Sequence, residues 1–274
     1  MTTLELIKAA LKEDMPTGDV TTESLAVKPR MAEAVLKAKE DLVLSGATAF
    51  EQTILFLEPS ARIKWHFNEG DFVFKGQNLC SIEGDLIQIL KGERVALNFL
   101  GPLSGIASLT RRFVKAVQGT KTQILDTRKT TPLFRELEKR AVTHGGGINH
   151  RFNLSHAVLI KDNHISLMNG ITAAVTRLRL HCDLPIEVEA ATLEQVDECV
   201  QLKVNRILLD NMTNEILAEA LKLIPDEIKT EASGNMTLAR VPSVAALGVD
   251  YISVGALTHS APCADVSLLF DWNH

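Results

Sequence analysis

From Gln123 onward the chain alternates short apolar runs with stretches of helical periodicity, and few architectures accept that rhythm. The apolar runs cover residues 123–126, 157–160, 185–188, 206–209, 228–231 and 250–254. Between them, stretches such as 193–200 and 216–223 repeat apolar residues at a helical spacing. Regular alternation of β and α units needs a parallel sheet joined by right-handed crossovers. Six strands are too few for a closed eight-stranded barrel. The expected fold class is therefore α/β, with an irregular, incomplete barrel of about six strands. A doubly wound open sheet has the same periodicity and stays open as an alternative.

The chain before about residue 95 has a different character. Leu4, Ile7, Ala10 and Leu11 share one helical face, ended by the turn-rich segment 15–19. Residues 32–44 read as extended and 50–56 as helix. The stretch 62–82 alternates apolar and polar residues around the turns at 69–71 and 75–76, as strands and hairpins do. The segment 69–77 resembles the turn of biotinyl and lipoyl carrier domains. It lacks the modifiable lysine in its hairpin context, so it is read as a structural turn. Residues 92–117 are helical in pattern, with a break or kink expected at Gly101-Pro102, where proline removes a donor.

Composition narrows the function. Of 274 residues, 46% are hydrophobic and 23% charged, which excludes wholesale disorder. Lys and Arg number 29 against 34 Asp and Glu, a net charge of −5 that argues against nonspecific nucleic-acid binding. No apolar run has the length of a membrane span, and charges interrupt the first fifteen residues where a signal peptide would need an apolar core. Cys80, Cys182, Cys199 and Cys263 show no CxxC spacing. A soluble, reduced, cytoplasmic protein is expected.

Parallel α/β folds carry their chemistry at the carboxyl ends of the strands. Those ends are polar on all six runs: 126–131, 161–164, Glu187 with Glu189, Asp210-Asn211, 231–235 and 253–255. A single polar strand end is commonly a helix cap. Six in succession point to one shared site. Arg128, Lys129, Arg151 and Lys161, with His150, form a cationic group suited to carboxylate or phosphate. Glu189 and Asp210 offer hard oxygen ligands of the kind Mg²⁺ takes beside substrate phosphates. Ser233-Gly234-Asn235 and Ser253-Val254-Gly255 are turns whose backbone N–H groups can hold phosphate, although each alone could be a plain left-handed loop. Neither GxxxxGK[ST] nor GxGxxG occurs. The glycines of 144–150 fit close backbone approach to a ligand better than a zinc site. His164 serves either the ligand or its own loop. Glu187 and Glu189, two apart on a strand, share one face.

At these positions the chain resembles the quinolinate phosphoribosyltransferase family. The likeness runs through 93–100, 103–107, 126–132, 145–151, 159–164, 187–189, 209–211, 231–234 and 249–258, in order along nearly the whole chain. It implies a small N-terminal α/β sandwich domain (1–110), on which a tail near 262–274 packs, and an irregular barrel domain (111–261). It implies a homodimer with shared active sites and Arg94 reaching the partner's ligand. Thr127, Arg128, His150, Arg151 and Lys161 would face quinolinate. Lys129 and the two turns, from Ser233, Gly234 and Asn235 to Ser253, Val254 and Gly255, would hold phosphoribosyl pyrophosphate (PRPP). Glu189 and Asp210 would serve Mg²⁺ and the ribose. Lys129, Lys161, Glu189 and Asp210 would be catalytic. The implied reaction makes nicotinate mononucleotide, CO₂ and pyrophosphate in NAD biosynthesis. Asn235 stands where many relatives have glycine, and Gly101-Pro102 occupies a variable position. Relatives from molybdate-transport operons share the fold, but the intact 149–151 and 161–164 segments favour the quinolinate enzyme. A Schiff-base aldolase using Lys161, and a phosphometabolite sensor without turnover, are the competing readings.

Overall fold

The structure is a computed structural model that describes residues 1–26 and 28–272. The chain forms two compact units. The first takes Met1–Arg111, Thr131–Gly146 and the segment from Ser260 onward; the second takes Arg112–Thr130 and Gly147–His259.

In the first unit, α1 (Thr3–Asp14) begins at a Thr2 capping box, where the Thr2 side chain and Glu5 satisfy one another's backbone N–H groups. After α2 (Val20–Ser24) come β1 (Met31–Ala38), β2 (Leu42–Val43), α3 (Ala47–Leu57), β3 (Arg62–Trp65), β4 (Phe72–Val73), β5 (Asn78–Asp85) and α4 (Leu86–Ala116). The strands β1, β3 and β5 pair antiparallel, with β2 and β4 forming a small separate ribbon. Alternate residues of β1 are buried, so Ala34, Leu36 and Ala38 face a core that includes Phe50 and Ile54 of α3 and Leu97 and Leu100 of α4.

The second unit contains the alternating elements read from the sequence: β6 (Gln123–Leu125), then, after α5 (Arg135–His144) of the first unit, β7 (Val158–Ile160), α6 (Asp162–Met168), α7 (Ile171–Arg179), β8 (Ile186–Ala190), α8 (Leu193–Gln201), β9 (Arg206–Asp210), α9 (Asn214–Leu223), β10 (Lys229–Ser233), α10 (Val241–Ala246), β11 (Tyr251–Ser253) and α11 (Ala256–His259). All six strands are parallel, in the order β6-β11-β10-β9-β8-β7. Each of β7 to β11 lies beside its sequence neighbour, and β6 returns to lie against β11. That is the winding of a barrel, lacking the β6–β7 pair. A doubly wound sheet would reverse its order at an interior strand, and this one does not. On the open side of β6, Ile148 makes a parallel bridge to Leu125.

The last strand, β12 (Val266–Phe270), runs antiparallel along β1 and extends the first sheet to β12-β1-β5-β3. Two features depart from the sequence reading. Residues 131–146, placed with the barrel domain above, group with the first unit. There Phe134 stacks on Phe99 at 5.6 Å, α5 buries Leu137, Ala141 and Val142, and Ser45 Oγ lies 2.9 Å from His144 Nδ1. The second departure is α4, which runs unbroken through Pro102. At that point the Gly101 carbonyl accepts from Ala264 N–H at 2.9 Å. The tail is thus tied to the helix beside Pro102, whose missing N–H leaves the Asn98 carbonyl, not that of Gly101, without its usual helical donor.

The tail packs against α4 so closely that a Cβ on Gly105 would stand 1.8 Å from the Pro262 carbonyl oxygen. Gly105→Ala should therefore destabilise the first unit by about 1–3 kcal/mol or more. A urea-unfolding midpoint equal to that of the unaltered protein would show that the tail moves aside without cost.

Candidate active site

Period two along each strand decides which residues face the concave side of the second sheet. Along β9 the inward series, from carboxyl to amino end, is Asp210, Leu208, Arg206. Along β10 it is Ser233, Glu231, Lys229; along β8 it is Glu189, Glu187. The carboxyl-end residues line a cleft of about 840 Å³. The amino-end residues line a second cavity of about 530 Å³ at the opposite mouth. Between the two lies a buried polar cluster.

The cleft collects almost every residue singled out from the sequence. After β6 come Thr127, Arg128 and Lys129; from the segment before β7, His150 and Arg151; then Lys161, Glu189, Asp210, Ser233, Gly234, Asn235, Ser253 and Gly255. Each position has a local cause. Thr127 Oγ1 accepts from Lys129 N–H at 3.1 Å, and Thr258 Oγ1 donates to the Lys129 carbonyl at 2.7 Å, so the 127–129 turn is tied at both ends. Buried Asp126 accepts from His150 N–H at 2.8 Å, which fixes the 149–151 segment to the end of β6. Arg151 donates through a terminal nitrogen to the Ala157 carbonyl at 3.0 Å.

Arg151 is buried, and burial together with the charge of Arg128 pulls its pKa below the usual guanidinium range. Two cations that disfavour one another stand ready for a ligand with more than one negative charge. On the other side, Lys161 Nζ is 3.9 Å from Glu189 Oε2. Burial, then the charge of Asp210, raises Glu189 above the usual carboxylate range. Two hard-oxygen groups with excess negative charge between them fit a divalent cation such as Mg²⁺.

The 233–235 turn requires its glycine. Gly234 has φ +90°, and a Cβ there would stand 2.2 Å from Asn211 Oδ1. Asn211 and Asn235 also take left-handed conformations, at φ 55° and 49°, and Asn235 Nδ2 donates to Asn211 Oδ1 at 3.3 Å. Arg240 clamps this turn by donating to the Gly234 carbonyl at 3.0 Å.

One expectation, for Val254, needs correction; His164 and Arg94 each take one of the places left to them. Val254 is buried, does not line the cleft, and donates its N–H to the Leu125 carbonyl at 2.9 Å, so the 253–255 turn addresses the cleft through Ser253 and Gly255. His164 Nδ1 accepts from Lys161 N–H at 3.1 Å and orients its own loop. Arg94 is exposed on α4 in the first unit and is not among the residues lining the cleft.

The residue overlooked in the sequence, Arg206, lies beneath the cleft in a cluster with His150, Glu187 and Glu231. His150 Nε2 is 3.4 Å from Glu187 Oε2 and 3.5 Å from Glu231 Oε2. Glu231 is 0% exposed and Glu187 6%. Arg206 reaches Glu231 at 3.0 Å and Glu187 at 4.0 Å, and lies 4.4 Å over the Tyr251 ring. Burial and the Glu187 charge push Glu231 up to about 7. For His150, burial disfavours the charged ring, but the Glu187 hydrogen bond and the charges of Glu231 and Glu187 outweigh it and raise the pKa. The ring's second nitrogen is nevertheless committed: Nδ1 accepts from Arg151 N–H at 2.7 Å, which places the imidazole proton on Nε2. The ligand atoms of His150, Glu187 and Glu231 lie within 4.8 Å of one another, as metal ligands do, but the Arg206 guanidinium already supplies the positive charge there. The missed signal was the alternation itself: stepping back along one face from Asp210 gives Leu208 and then Arg206, and from Ser233 gives Glu231.

Comparison with known proteins agrees with this geometry. The model of the C-terminal domain of quinolinate phosphoribosyl transferase matches residues 106–269, and that of its N-terminal domain matches 19–104. A probable carboxylating nicotinate-nucleotide pyrophosphorylase of Bacillus subtilis (strain 168) is 39% identical over 266 residues, covering 96% of this chain and 92% of that protein. The chloroplastic carboxylating nicotinate-nucleotide pyrophosphorylase of Arabidopsis thaliana is 39% identical over 287 residues, covering 97% and 82%. The crystal structure of nicotinate-nucleotide pyrophosphorylase from Ehrlichia chaffeensis superposes with a TM-score of 0.95 at 38% identity, over 99% of both chains.

Proposed function

The chain belongs to the quinolinate phosphoribosyltransferase family, and we propose that it transfers the phosphoribosyl group of PRPP to quinolinate with loss of CO₂, giving nicotinate mononucleotide and pyrophosphate for NAD biosynthesis. The observation that carries this reading is one cleft holding two kinds of site. Arg128 and Arg151 gather positive charge on one side; Glu189, Asp210 and the Gly234 turn gather carboxylates and close backbone on the other, with Lys161 reaching in beside Glu189. A dicarboxylate and a magnesium-bound polyphosphate divide between them.

The reaction follows from that division. Departure of pyrophosphate leaves positive charge at the anomeric carbon of the ribose, which the Glu189 and Asp210 carboxylates stabilise. Lys129, on the rim of the cleft, neutralises the departing phosphates. Mg²⁺, held by Glu189 and Asp210 when bound, supplies further neutralisation of pyrophosphate charge. Arg128 and Arg151 grip the quinolinate carboxylates and aim the ring nitrogen at the anomeric carbon, so proximity and orientation carry much of the rate. Once alkylated, the ring nitrogen is cationic and takes up the electron pair released as the adjacent carboxylate leaves as CO₂. No enzyme nucleophile enters. The Schiff-base alternative asks for an amine stripped of solvent and counter-charge; Lys161 is exposed and paired with Glu189.

The functional unit in this reading is a homodimer. The cleft is lined by the second unit alone, while Arg94 projects from the first unit as an exposed cation toward a partner's ligand. The four cysteines are all unpaired, which supports a cytoplasmic location. No helix among the described residues is long and apolar enough to cross a membrane.

Carboxyl-labelled quinolinate should release labelled CO₂ only when PRPP and Mg²⁺ are both supplied. A protein that binds both substrates without releasing CO₂ would falsify the reaction and favour a sensor. Arg128→Ala removes a charged contact to the dicarboxylate and should lower kcat/KM by about 30- to 800-fold, equivalent to about 2–4 kcal/mol; an unchanged kcat/KM removes Arg128 from the ligand. Mixing Arg94→Ala with Lys161→Ala protein should restore part of the activity, because one site of each mixed dimer is intact. No recovery after confirmed subunit exchange would contradict the shared site.

A further inference from the structure

The buried cluster beneath the cleft contains two carboxylates, an imidazole and a guanidinium in a parallel barrel interior. Such a group is costly to bury unless its charges are matched and its hydrogen bonds made. Its members come from separate elements: His150 from the segment before β7, Glu187 from β8, Arg206 from β9 and Glu231 from β10. His150 is the member that joins the cluster to the cleft. Its side chain is only 8% exposed. Its Nε2 faces the two carboxylates, its Nδ1 receives Arg151 N–H, and its own N–H is held by Asp126. The imidazole is therefore a strut between the barrel interior and the backbone of Arg151, whose guanidinium lines the cleft.

We propose that Arg206 is a positioning residue: stacked on Tyr251 and paired with Glu231 and Glu187, it holds the two carboxylates in the arrangement that keeps the His150 ring in one orientation and one tautomer, and through that ring sets the backbone of Arg151. Three distances carry the argument: 3.0 Å from Arg206 to Glu231, 3.5 Å from Glu231 to His150, and 2.7 Å from His150 to Arg151 N–H. The Tyr251 ring fixes where the guanidinium lies, at 4.4 Å, on the side of the second cavity. One nitrogen, Nη1, meets both carboxylates while the guanidinium plane lies over the ring face; lysine has no such plane to rest on the ring, so the position discriminates between the two cations. The consequence for function rests on the reading that the 149–151 segment binds quinolinate.

The test uses ring-¹⁵N-labelled histidine in the full-length protein, with the His150 signal assigned by comparison with His150→Gln. In the unaltered protein the His150 signature should be that of a single Nε2–H tautomer. In Arg206→Gln it should move toward a mixture of tautomers, and KM for quinolinate should rise about tenfold or more while KM for PRPP stays within about twofold. Arg206→Lys should recover part of both. Should Arg206→Gln fail to fold, Tyr251→Leu, which removes only the surface on which the guanidinium rests, should produce the same tautomer shift in weaker form. An unchanged His150 signature in the folded variant, or equal rises in both KM values, overturns the inference. A shifted signature with an unmoved quinolinate KM leaves the strut in place and instead overturns the assignment of the 149–151 segment to quinolinate.

Discussion

Two carboxylates lie together in a barrel interior only at high cost unless a cation or a proton matches their charge, and the second unit is arranged around that demand. Glu187 and Glu231 face inward because they occupy alternate positions on β8 and β10. The same alternation that buries them brings Glu189 and Ser233 to the cleft two residues later. The barrel cannot present its working residues at one level without also choosing what lies one level below. Here the lower level is polar, with Arg206 and His150 as its matching partners. Apolar Leu208 and Leu159 flank it, so the cluster is a compact island and not a polar channel through the core.

The cleft above reads as an electrostatic division of labour. Crowding Arg128 against Arg151 raises the energy of both until an anion arrives, and crowding Glu189 against Asp210 does the same for a cation. A site with both kinds of strain is poor at holding one simple ion. It suits a pair of substrates that bring opposite needs, a dicarboxylate and a metal-bound polyphosphate. The tight turns at Gly234 and Gly255 add close backbone where side chains would intrude. A Cβ on Gly255 would stand 3.2 Å from Lys129 Cδ, which would crowd the lysine that borders the cleft.

The six strands and the polar ends that form the cleft were legible because a parallel strand carries a continuous apolar run and stops at a polar residue, so one pattern marks both fold and site. The interior partners were harder to see. Arg206 opens its strand and looks like a surface charge until the register places it beside Glu187. The helix through Pro102 was misread for a related reason: proline predicts a break from local chemistry, but the helix is held beside it by the tail, where Ala264 N–H, far along the chain, donates to the Gly101 carbonyl. The same holds for α5, whose periodicity shows an apolar face without showing which core receives it. Val254 failed in the opposite direction. Its turn has the composition of a phosphate loop, while its N–H is already consumed by the neighbouring strand. In each case local pattern was sound and a partner distant in sequence decided the outcome.

The edge strand β12 bears on how the protein is made. β1 leaves the ribosome long before β12, its partner along one edge. Asp265 N–H reaches Glu40 across 225 positions to close that side. Through most of translation, then, β1 has an edge with unmet hydrogen bonds, and the barrel unit is synthesised before the first sheet can be completed. Exposed strand edges recruit strangers, and contacts this distant in sequence form slowly. The nascent chain is thus more open to aggregation until β12 has emerged, and the pairing of β12 with β1 closes that window.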